Sequence, residues 1–315
     1  MRWKIKLSDL ESALWKSWSR ETSADPTCWG EYNNAWGQCA VTSLVVQDFF
    51  GGSIWCLDIS KHPNPLISAM RSHYFNSVNF YRTIDTYVEV DLSESQFGPG
   101  RHYEVRRYAE PPQEKSREYL LNNKSTKERY ASLRIKVSRI LSGFEDNLLF
   151  EEPIFINCLL LALNSNCQKG QYGCVVRHRG WDFIATTNGI SELLKDWSEP
   201  VCIRIRNDIL SRTESMIGCC DHAEERALDI IRQKGWDPKK CELYVAGFRS
   251  NGLIYIKPEP VFTCLRCANQ LYRSKIGAIY VPCKERWAKM TTEEAVETAK
   301  QFAMQEKVLE NYQST

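Results

Sequence analysis

The sequence predicts two domains, an α+β domain followed by an α/β domain in which a β-sheet lies between helices. The chain has 315 residues, more than the ~250–300 at which a single hydrophobic core stops growing. Hydrophobic residues make up 43% and aromatic residues 11%, a composition typical of globular proteins. The polar segment "SGFEDN" separates two differently patterned halves, so we expect domains at 1–143 and 144–315.

The first domain is predicted to combine helices with short strands. The segment "CAVTSLVVQDFFGG" carries apolar residues at helical spacing and ends at Gly51 and Gly52, and "TYVEVDL" alternates as a strand does. The charged, punctuated stretch from Pro99 to Lys127 predicts an exposed linker. A closing helix is expected at "ERYASLRIKVSRIL" because its apolar residues share one face.

In the second domain, helical and strand patterns alternate. An apolar helix, "EEPIFINCLLLALNSN", precedes two strands in "GCVVRHRGWDFIATTNG" that turn at Arg179 and Gly180. A helix closed by Gly235, the strand "CELYVAGF", a helix closed by Gly277 and the strand "AIYVP" follow. This alternation predicts an α-β-α sandwich with parallel strand pairs.

Charge and cysteine usage narrow the functional classes. Lys and Arg total 41 against 39 Asp and Glu, and this small excess favours a small or neutral substrate over a polynucleotide. The N-terminus lacks a signal-peptide core, and no run reaches the ~18 apolar residues of a membrane span. The thirteen cysteines are therefore expected to be reduced thiols in the cytoplasm, with no membrane partner.

A candidate metal site is formed by one histidine and a C-x-x-C pair. His222 begins the helix in "GCCDHAEERALDII", and Cys264 and Cys267 begin the helix in "CLRCANQLYRSKIG". Imidazole and thiolates are ligands that Zn²⁺ prefers, and three protein ligands leave the fourth position of a catalytic zinc open. Glu224 lies two residues after His222, where a carboxylate can carry protons without binding the metal.

These motifs resemble the zinc-dependent cytidine and deoxycytidylate deaminase superfamily over residues ~148–290. The resemblance implies that His222, Cys264 and Cys267 bind zinc, that Glu224 shuttles protons and that Asn188 contacts the substrate. For Asn188 a simple role in the turn is the alternative. The sequence departs from the family's pattern because Pro260 lies four residues before Cys264 instead of directly before it. A closed structural zinc site, with Cys219 or Cys220 as the fourth ligand, is the alternative.

A second set of reactive residues lies in the first domain. Cys39 begins a predicted helix, a position that lowers the pKa of a thiol, while His73 offers a base and Asp91 can orient the imidazole. Gln38 or Asn33 could donate a hydrogen bond to an oxyanion. With "WGQCA", "HYFN" and "DL", residues ~20–140 resemble a little-characterised bacterial papain-like family whose substrate is not named. The alternative is a packed, inert Cys39 in a binding or regulatory domain.

The sequence thus predicts a zinc-dependent hydrolytic deaminase, acting on cytosine in a free nucleoside, nucleotide or base, fused to a thiol-dependent domain. One alternative is a deaminase of bases in tRNA or DNA, for which "VRHRGW" and "CIRIRNDILSR" are the candidate basic stretches. Another is a thiol peptidase, deamidase or acyltransferase whose second domain is a zinc-stabilised recognition module.

Overall fold

The structure is a computed structural model that describes residues 5–80, 87–98, 102–191, 220–256 and 263–313. The chain divides into two compact units, Met1–Phe144 and Glu145–Thr315, so the division falls inside the "SGFEDN" segment. Both units mix helices with β-sheet.

The first unit contains a four-stranded sheet in the order β3-β2-β1-β4, and all of its pairs are antiparallel. Its helices are α1 (Leu7–Ser17), α2 (Cys39–Phe50), α3 (Pro65–Ala69), α4 (His102–Tyr108), α5 (Arg117–Leu121) and α6 (Lys124–Leu141). Its strands are β1 (Ser53–Asp58), β2 (Ser72–Val78), β3 (Val88–Val90) and β4 (Gln113–Lys115). A core of buried side chains from α1, α2, α6 and the sheet holds this unit together.

The two principal helices of this unit follow from local sequence signals. Every residue of α2 from Cys39 to Val46 is buried, and the helix ends at Gly51, whose φ of 74° is a conformation that favours glycine. Helix α6 begins before the predicted segment because the Asn123 side chain accepts a hydrogen bond from the Thr126 N–H. Both predicted helices are therefore confirmed, with α6 extended by its cap.

The stretch between Pro99 and Lys127 is exposed at most of its described positions, as predicted, but the prediction of a linker was wrong, because the described residues there form α4, β4 and α5. Strand β4 pairs with β1. The Arg117 guanidinium contacts Asp48 at 2.9 Å and donates to the Tyr130 hydroxyl at 2.6 Å. Because the backbone of β4 and the charge of Arg117 both have partners, this polar stretch can pack as part of the unit.

The second unit contains a five-stranded sheet in the order β11-β10-β9-β5-β6 and a two-stranded ribbon of β7 and β8. Its described helices are α7 (Pro153–Ala162), α8 (Ala223–Gln233), α9 (Leu265–Ser274) and α10 (Thr292–Gln313). Its described strands are β5 (Gly170–His178), β6 (Asp182–Thr187), β7 (Gly189–Ile190), β8 (Cys220–Asp221), β9 (Cys241–Arg249), β10 (Ala278–Cys283) and β11 (Arg286–Met290). Only β9 and β10 pair in parallel among these strands, so the prediction of several parallel pairs was wrong.

Helices cover both faces of the larger sheet. Helix α7 packs on one face, where the Cys158 thiol donates to the Tyr244 carbonyl oxygen at 3.3 Å. Helices α8, α9 and α10 share a core with the opposite face, which includes Cys174 and Leu243. The described part of this unit is thus layered helix, sheet, helix, with its strands in a mixed arrangement.

The ends of the two motif helices differ in their chemistry. Gly235 follows α8 with a φ of 63°, as predicted. Helix α9 ends at Lys275, which adopts the left-handed conformation with a φ of 57°, and not at Gly277. Gly277 is required by a close approach instead, because a side chain there would collide with the carbonyl oxygen of Lys239.

Eleven of the thirteen cysteines lie in described residues, and each is a free thiol. Cys202 and Cys219 lie outside the described residues. Across the described ranges, no helix combines the length and the apolar character needed to cross a membrane. None of the described cysteines is therefore engaged in a disulfide.

Candidate metal centre and thiol site

The second unit brings three predicted ligands together at the starts of two helices. His222 is the N-cap of α8, Cys264 is the N-cap of α9, and Cys267 lies in the first turn of α9. The His222 Nδ1 atom lies 3.1 Å from Cys267 Sγ and 3.3 Å from Cys264 Sγ. One ligand atom from each residue lies within 4.8 Å of the others, so the three residues could hold a metal ion.

The three side chains hold their protons unequally. The Cys267 thiol donates to Cys264, and this bond, with the nearby His222, sets the pKa of Cys264 well below its usual value despite burial. The same bond and burial raise the pKa of Cys267. Burial alone would lower the pKa of His222, but its bond with Cys264 and the neighbouring negative charges raise it to about 9. A cation bound here would compete with these protons, which couples metal affinity to pH.

Glu224 lies beside the ligands and is not one of the three. Its side chain is buried at the first turn of α8. Its negative charge is one of the causes that raise the pKa values of His222 and Cys267. The structure therefore places a buried carboxylate near the three candidate ligands.

The next carboxylate, Glu225, ties the two ligand-bearing helices to each other. Glu225 Oε2 accepts the His222 backbone N–H at 2.9 Å. Its Oε1 atom accepts from Arg266 Nε and Gln270 Nε2, both on α9, at 2.5 Å each. The sequence reasoning missed this contact, although an acid three residues after an N-cap is a recognisable capping box. Glu225, Arg266 and Gln270 are called the helix clamp below.

Two further side chains, Thr186 and Arg226, fix the start of α8 against the β6–β7 segment. Thr186 Oγ1 donates to the Ala223 carbonyl oxygen at 2.8 Å. The Arg226 guanidinium donates to the carbonyl oxygens of Thr187 at 3.2 Å and Ile190 at 2.9 Å. The position of His222 and Glu224 therefore depends on the sheet edge as well as on α9.

Asn188, predicted to contact substrate, is buried and engaged with strand β5. Its Oδ1 accepts the Tyr172 N–H at 2.7 Å, and its Nδ2 donates to the Gly170 carbonyl oxygen at 2.8 Å. These bonds give the Asn188 amide a structural role at the end of β6. Pro260, whose position differs from that of the proline in the family's pattern, lies outside the described residues.

The first unit brings Cys39, His73 and Asp91 together. Cys39 is the first residue of α2, His73 lies in β2, and Asp91 directly follows β3. His73 Nε2 lies 2.6 Å from Asp91 Oδ2, with the side chains 1% and 4% exposed. The backbone N–H and hydroxyl of Ser93 donate to Asp91 Oδ1 at 3.2 and 3.1 Å. Asp91 is thereby held in position to orient the imidazole.

The charges of this group favour a thiolate and an imidazolium. Burial alone would lower the pKa of His73, but the Asp91 carboxylate and the Cys39 sulfur raise it to about 10. Burial alone would raise the pKa of Cys39, but the His73 imidazole and the Tyr74 backbone N–H lower it below the usual 9.0. The group therefore has the charge distribution that nucleophilic thiol chemistry requires.

The two predicted oxyanion donors are engaged elsewhere. Gln38 Nε2 donates to the Ser19 carbonyl oxygen at 3.0 Å. Asn33 Nδ2 donates to the Gln96 carbonyl oxygen at 2.8 Å. Gln96 itself places its Nε2 atom 3.0 Å from His73 Nδ1. No sequence signal pointed to Gln96, because a turn after β3 brings it to His73.

Comparison with known proteins bears on the first unit. A model of the family described as YunG protein matches residues 6–142, which include Cys39, His73 and Asp91. The particular relative found is "Uncharacterized protein YunG" from Bacillus subtilis (strain 168). It is 29% identical over 133 residues, a match that covers 42% of this chain and 92% of the relative. No solved structure matches the chain significantly.

Proposed function

We propose that the second unit is a zinc-dependent hydrolytic deaminase that acts on an aminated base. The observation that carries the proposal is the convergence of His222, Cys264 and Cys267 within 4.8 Å, beside the buried Glu224. The preferred substrate is cytosine in a free nucleoside, nucleotide or base, in which water replaces the amino group at C4 and ammonia leaves.

The donor set supports zinc as the metal. One imidazole nitrogen and two sulfurs are the ligands that zinc takes in proteins, and tetrahedral ligation would set nitrogen and sulfur about 3.5 Å apart. The observed separations of 3.1 and 3.3 Å are close to that value. Zinc in such a site supplies Lewis acidity, which makes water reactive at neutral pH. Among the described residues the group contains three ligands and not Cys220, which supports a catalytic site, while Cys219, the other candidate fourth ligand, lies outside them.

Glu224 is assigned the proton transfers. A carboxylate close to the reacting groups can take a proton from water and return it to the departing nitrogen. The helix clamp at Glu225 and the contact from Thr186 to Ala223 hold the turn that carries Glu224. The two adjacent glutamates thus have different roles in the proposal: Glu224 acts near the candidate ligands, and Glu225 joins the helices.

A small substrate is preferred over a polynucleotide. In the "VRHRGW" stretch, Arg177 is paired with Glu242 at 2.5 Å, and His178 is buried and stacked on Trp236. That stretch leaves Arg179 and Trp181 exposed. The other basic candidate, "CIRIRNDILSR", lies outside the described residues. The near-balance of charge over the whole chain also favours a small substrate.

The test is a screen for ammonia release by the zinc-loaded chain across bases, nucleosides, nucleotides and single-stranded oligonucleotides. The Glu224→Gln variant should retain zinc and lose turnover by about 10²–10⁴-fold, because an amide fills the same space but cannot carry a proton. Asp229→Asn is the matched control, since Asp229 lies on the same helix in an exposed pair with Arg232.

Near-normal turnover in Glu224→Gln would reject the proton-transfer role. Turnover of oligonucleotides with little on monomers would favour the nucleic-acid alternative. A zinc-replete chain that releases no ammonia from any substrate, yet reacts at Cys39, would favour the alternative in which the second unit is a recognition module for a thiol peptidase, deamidase or acyltransferase.

A further inference from the structure

We propose that the first unit carries a second active site, in which the Cys39 thiolate attacks the amide carbonyl of a peptide-like substrate. His73 is its acid–base group, Asp91 orients the imidazole, and Gln96 positions the ring from the other side. This site is independent of the zinc reaction proposed for the second unit, so either can be wrong without the other.

The position of Cys39 supplies what a nucleophile needs. As the first residue of α2, it has a backbone N–H that belongs to the helix N–H groups without a partner inside the helix. In the described chain, strand β3 pairs with residues 76–78 of β2, and just before them the Tyr74 backbone N–H contacts the Cys39 sulfur. The Cys39 N–H can stabilise an oxyanion, a role that Asn33 and Gln38 do not fill in this geometry.

Gln96 is suited to an imidazole that alternates between neutral and protonated forms. Its Nε2 lies 3.0 Å from His73 Nδ1, and its buried Oε1 has no hydrogen-bond partner in the described part of the chain. A half-turn of the amide exchanges these two atoms, so Gln96 can donate to a bare Nδ1 or accept from Nδ1–H. Phe97 packs its ring edge-on to His73 at 4.8 Å. Asp91 and Gln96 therefore contact the two ring nitrogens, so Nδ1 is the nitrogen that exchanges Gln96 for the Cys39 sulfur or the leaving amine during the reaction.

A groove of about 1170 Å³ is lined in part by Tyr74, whose backbone N–H contacts the Cys39 sulfur. Asn76 donates to the Ser43 carbonyl oxygen, so the Asn76 face of β2 is the face that α2 covers. Alternation places Tyr74 and Ser72 on that same face, and both line the groove. The lining includes charges of both signs, from Arg71, Lys115, Asp58 and Glu110. An open, polar groove of this size fits an extended peptide-like chain better than a small apolar molecule.

The reaction balances with water as the only co-reactant. The Cys39 sulfur forms a bond to the carbonyl carbon, the C–N bond breaks, and His73 gives its proton to the leaving amine. Water then attacks the thioester while His73 takes a proton from it. The carboxylic acid leaves and the thiolate and imidazolium are restored, so one amide and one water give one acid and one amine.

The first experiment measures iodoacetamide labelling of each cysteine in the zinc-loaded full chain from pH 6 to 9, by peptide mapping. The pH at which the labelling rate of a cysteine rises reports the formation of its thiolate, even where the thiol is poorly accessible. Cys39 should inflect below the ordinary ~8.5, and His73→Gln should slow its labelling at pH 7 by about tenfold or more. Asp91→Asn, which keeps the shape of the side chain, should also slow the labelling of Cys39 at pH 7.

The second experiment uses p-nitrophenyl acetate as the acyl probe. We expect a burst of one nitrophenolate per chain, with the acetyl group on Cys39. Cys39→Ala should abolish the burst, and Cys28→Ala, a change of an exposed free thiol of the same unit that does not line the groove, should not. A mixture of peptide amides should slow Cys39 labelling by occupying the groove.

The second site would be overturned if the labelling rate of Cys39 rose at the ordinary pH of a free thiol and His73→Gln left that pH unchanged. Acetylation spread evenly over the cysteines would overturn it as well. Labelling that peptide amides do not slow would overturn the peptide-like substrate class. None of these measurements depends on ammonia release, so the failure of the deaminase proposal remains distinguishable.

Discussion

Replacing Glu225 by alanine tests how the two ligand-bearing helices are held together. The substitution removes an acceptor from the His222 N–H, from Arg266 and from Gln270. Loss of the N-cap contact costs about 1 kcal/mol. The two bonds to α9 add about 2 kcal/mol, a discounted value because the Arg266 side chain is 34% exposed and can be hydrated. We therefore expect the free energy of unfolding of the second unit to fall by about 3 kcal/mol.

The assay is denaturant unfolding at saturating zinc, joined to a chelator competition that measures zinc affinity. Residues that orient metal ligands typically change metal affinity by about 10–100-fold, and we expect a loss in that range. Asp229→Ala on the same helix is the control, because its pair with Arg232 is largely exposed and should change stability by less than about 0.5 kcal/mol. A Glu225→Ala protein matching this control in both measurements would refute the clamp.

The remaining predictions concern metal content, pH and salt. Purified protein should hold about one zinc per chain, and His222→Ala or Cys264→Ser should remove it, which elemental analysis would detect; full zinc in both would reject the site. Because the Asp91 carboxylate and the Cys39 sulfur outweigh burial and raise the pKa of His73 from 6.5 to about 10, the stability that this imidazolium contributes is complete below pH 6.5 and is lost as pH rises through 10. From pH 9 to 10, unfolding free energy should fall more steeply than in Asp91→Asn; equal slopes would contradict the pairing. Deamination should vary little between low and moderate salt, whereas polynucleotide binding would show a slope of about −0.7 per phosphate neutralised; a steep loss would favour the nucleic-acid alternative.

Local patterns predicted the elements that carry the candidate sites. Helices α2, α8 and α9 start at or beside Cys39, His222 and Cys264, where capping positions and apolar spacing agree. The sheet topology was harder to predict from the sequence, because an alternation of strands and helices along the chain does not specify whether two strands run parallel. The charged stretch before α6 was misread because its partners, β1 and Asp48, are distant in sequence.

The candidate ligands were found by residue type and spacing, whereas the residues that hold them were not. The Glu225 contact with Arg266 joins positions 41 apart in the chain, and only its capping half has a local signature. For Asn188, residue type and position suggested substrate contact, whereas in the structure its amide forms hydrogen bonds with the backbone of β5.

What the sequence by itself determined is the set of reactive groups and the helix starts that present them: one imidazole, a C-x-x-C pair, adjacent glutamates, and a thiol followed by a histidine and an aspartate. These follow from short-range chemistry, which a chain carries locally. What only the tertiary structure decided is which groups meet. The 2.6 Å contact of His73 with Asp91, and the place of Gln96 at the opposite nitrogen, depend on how β3 pairs with β2 and where the chain turns after it. Such contacts arise from long-range packing, in which the free energy of the whole unit selects the neighbours of each residue.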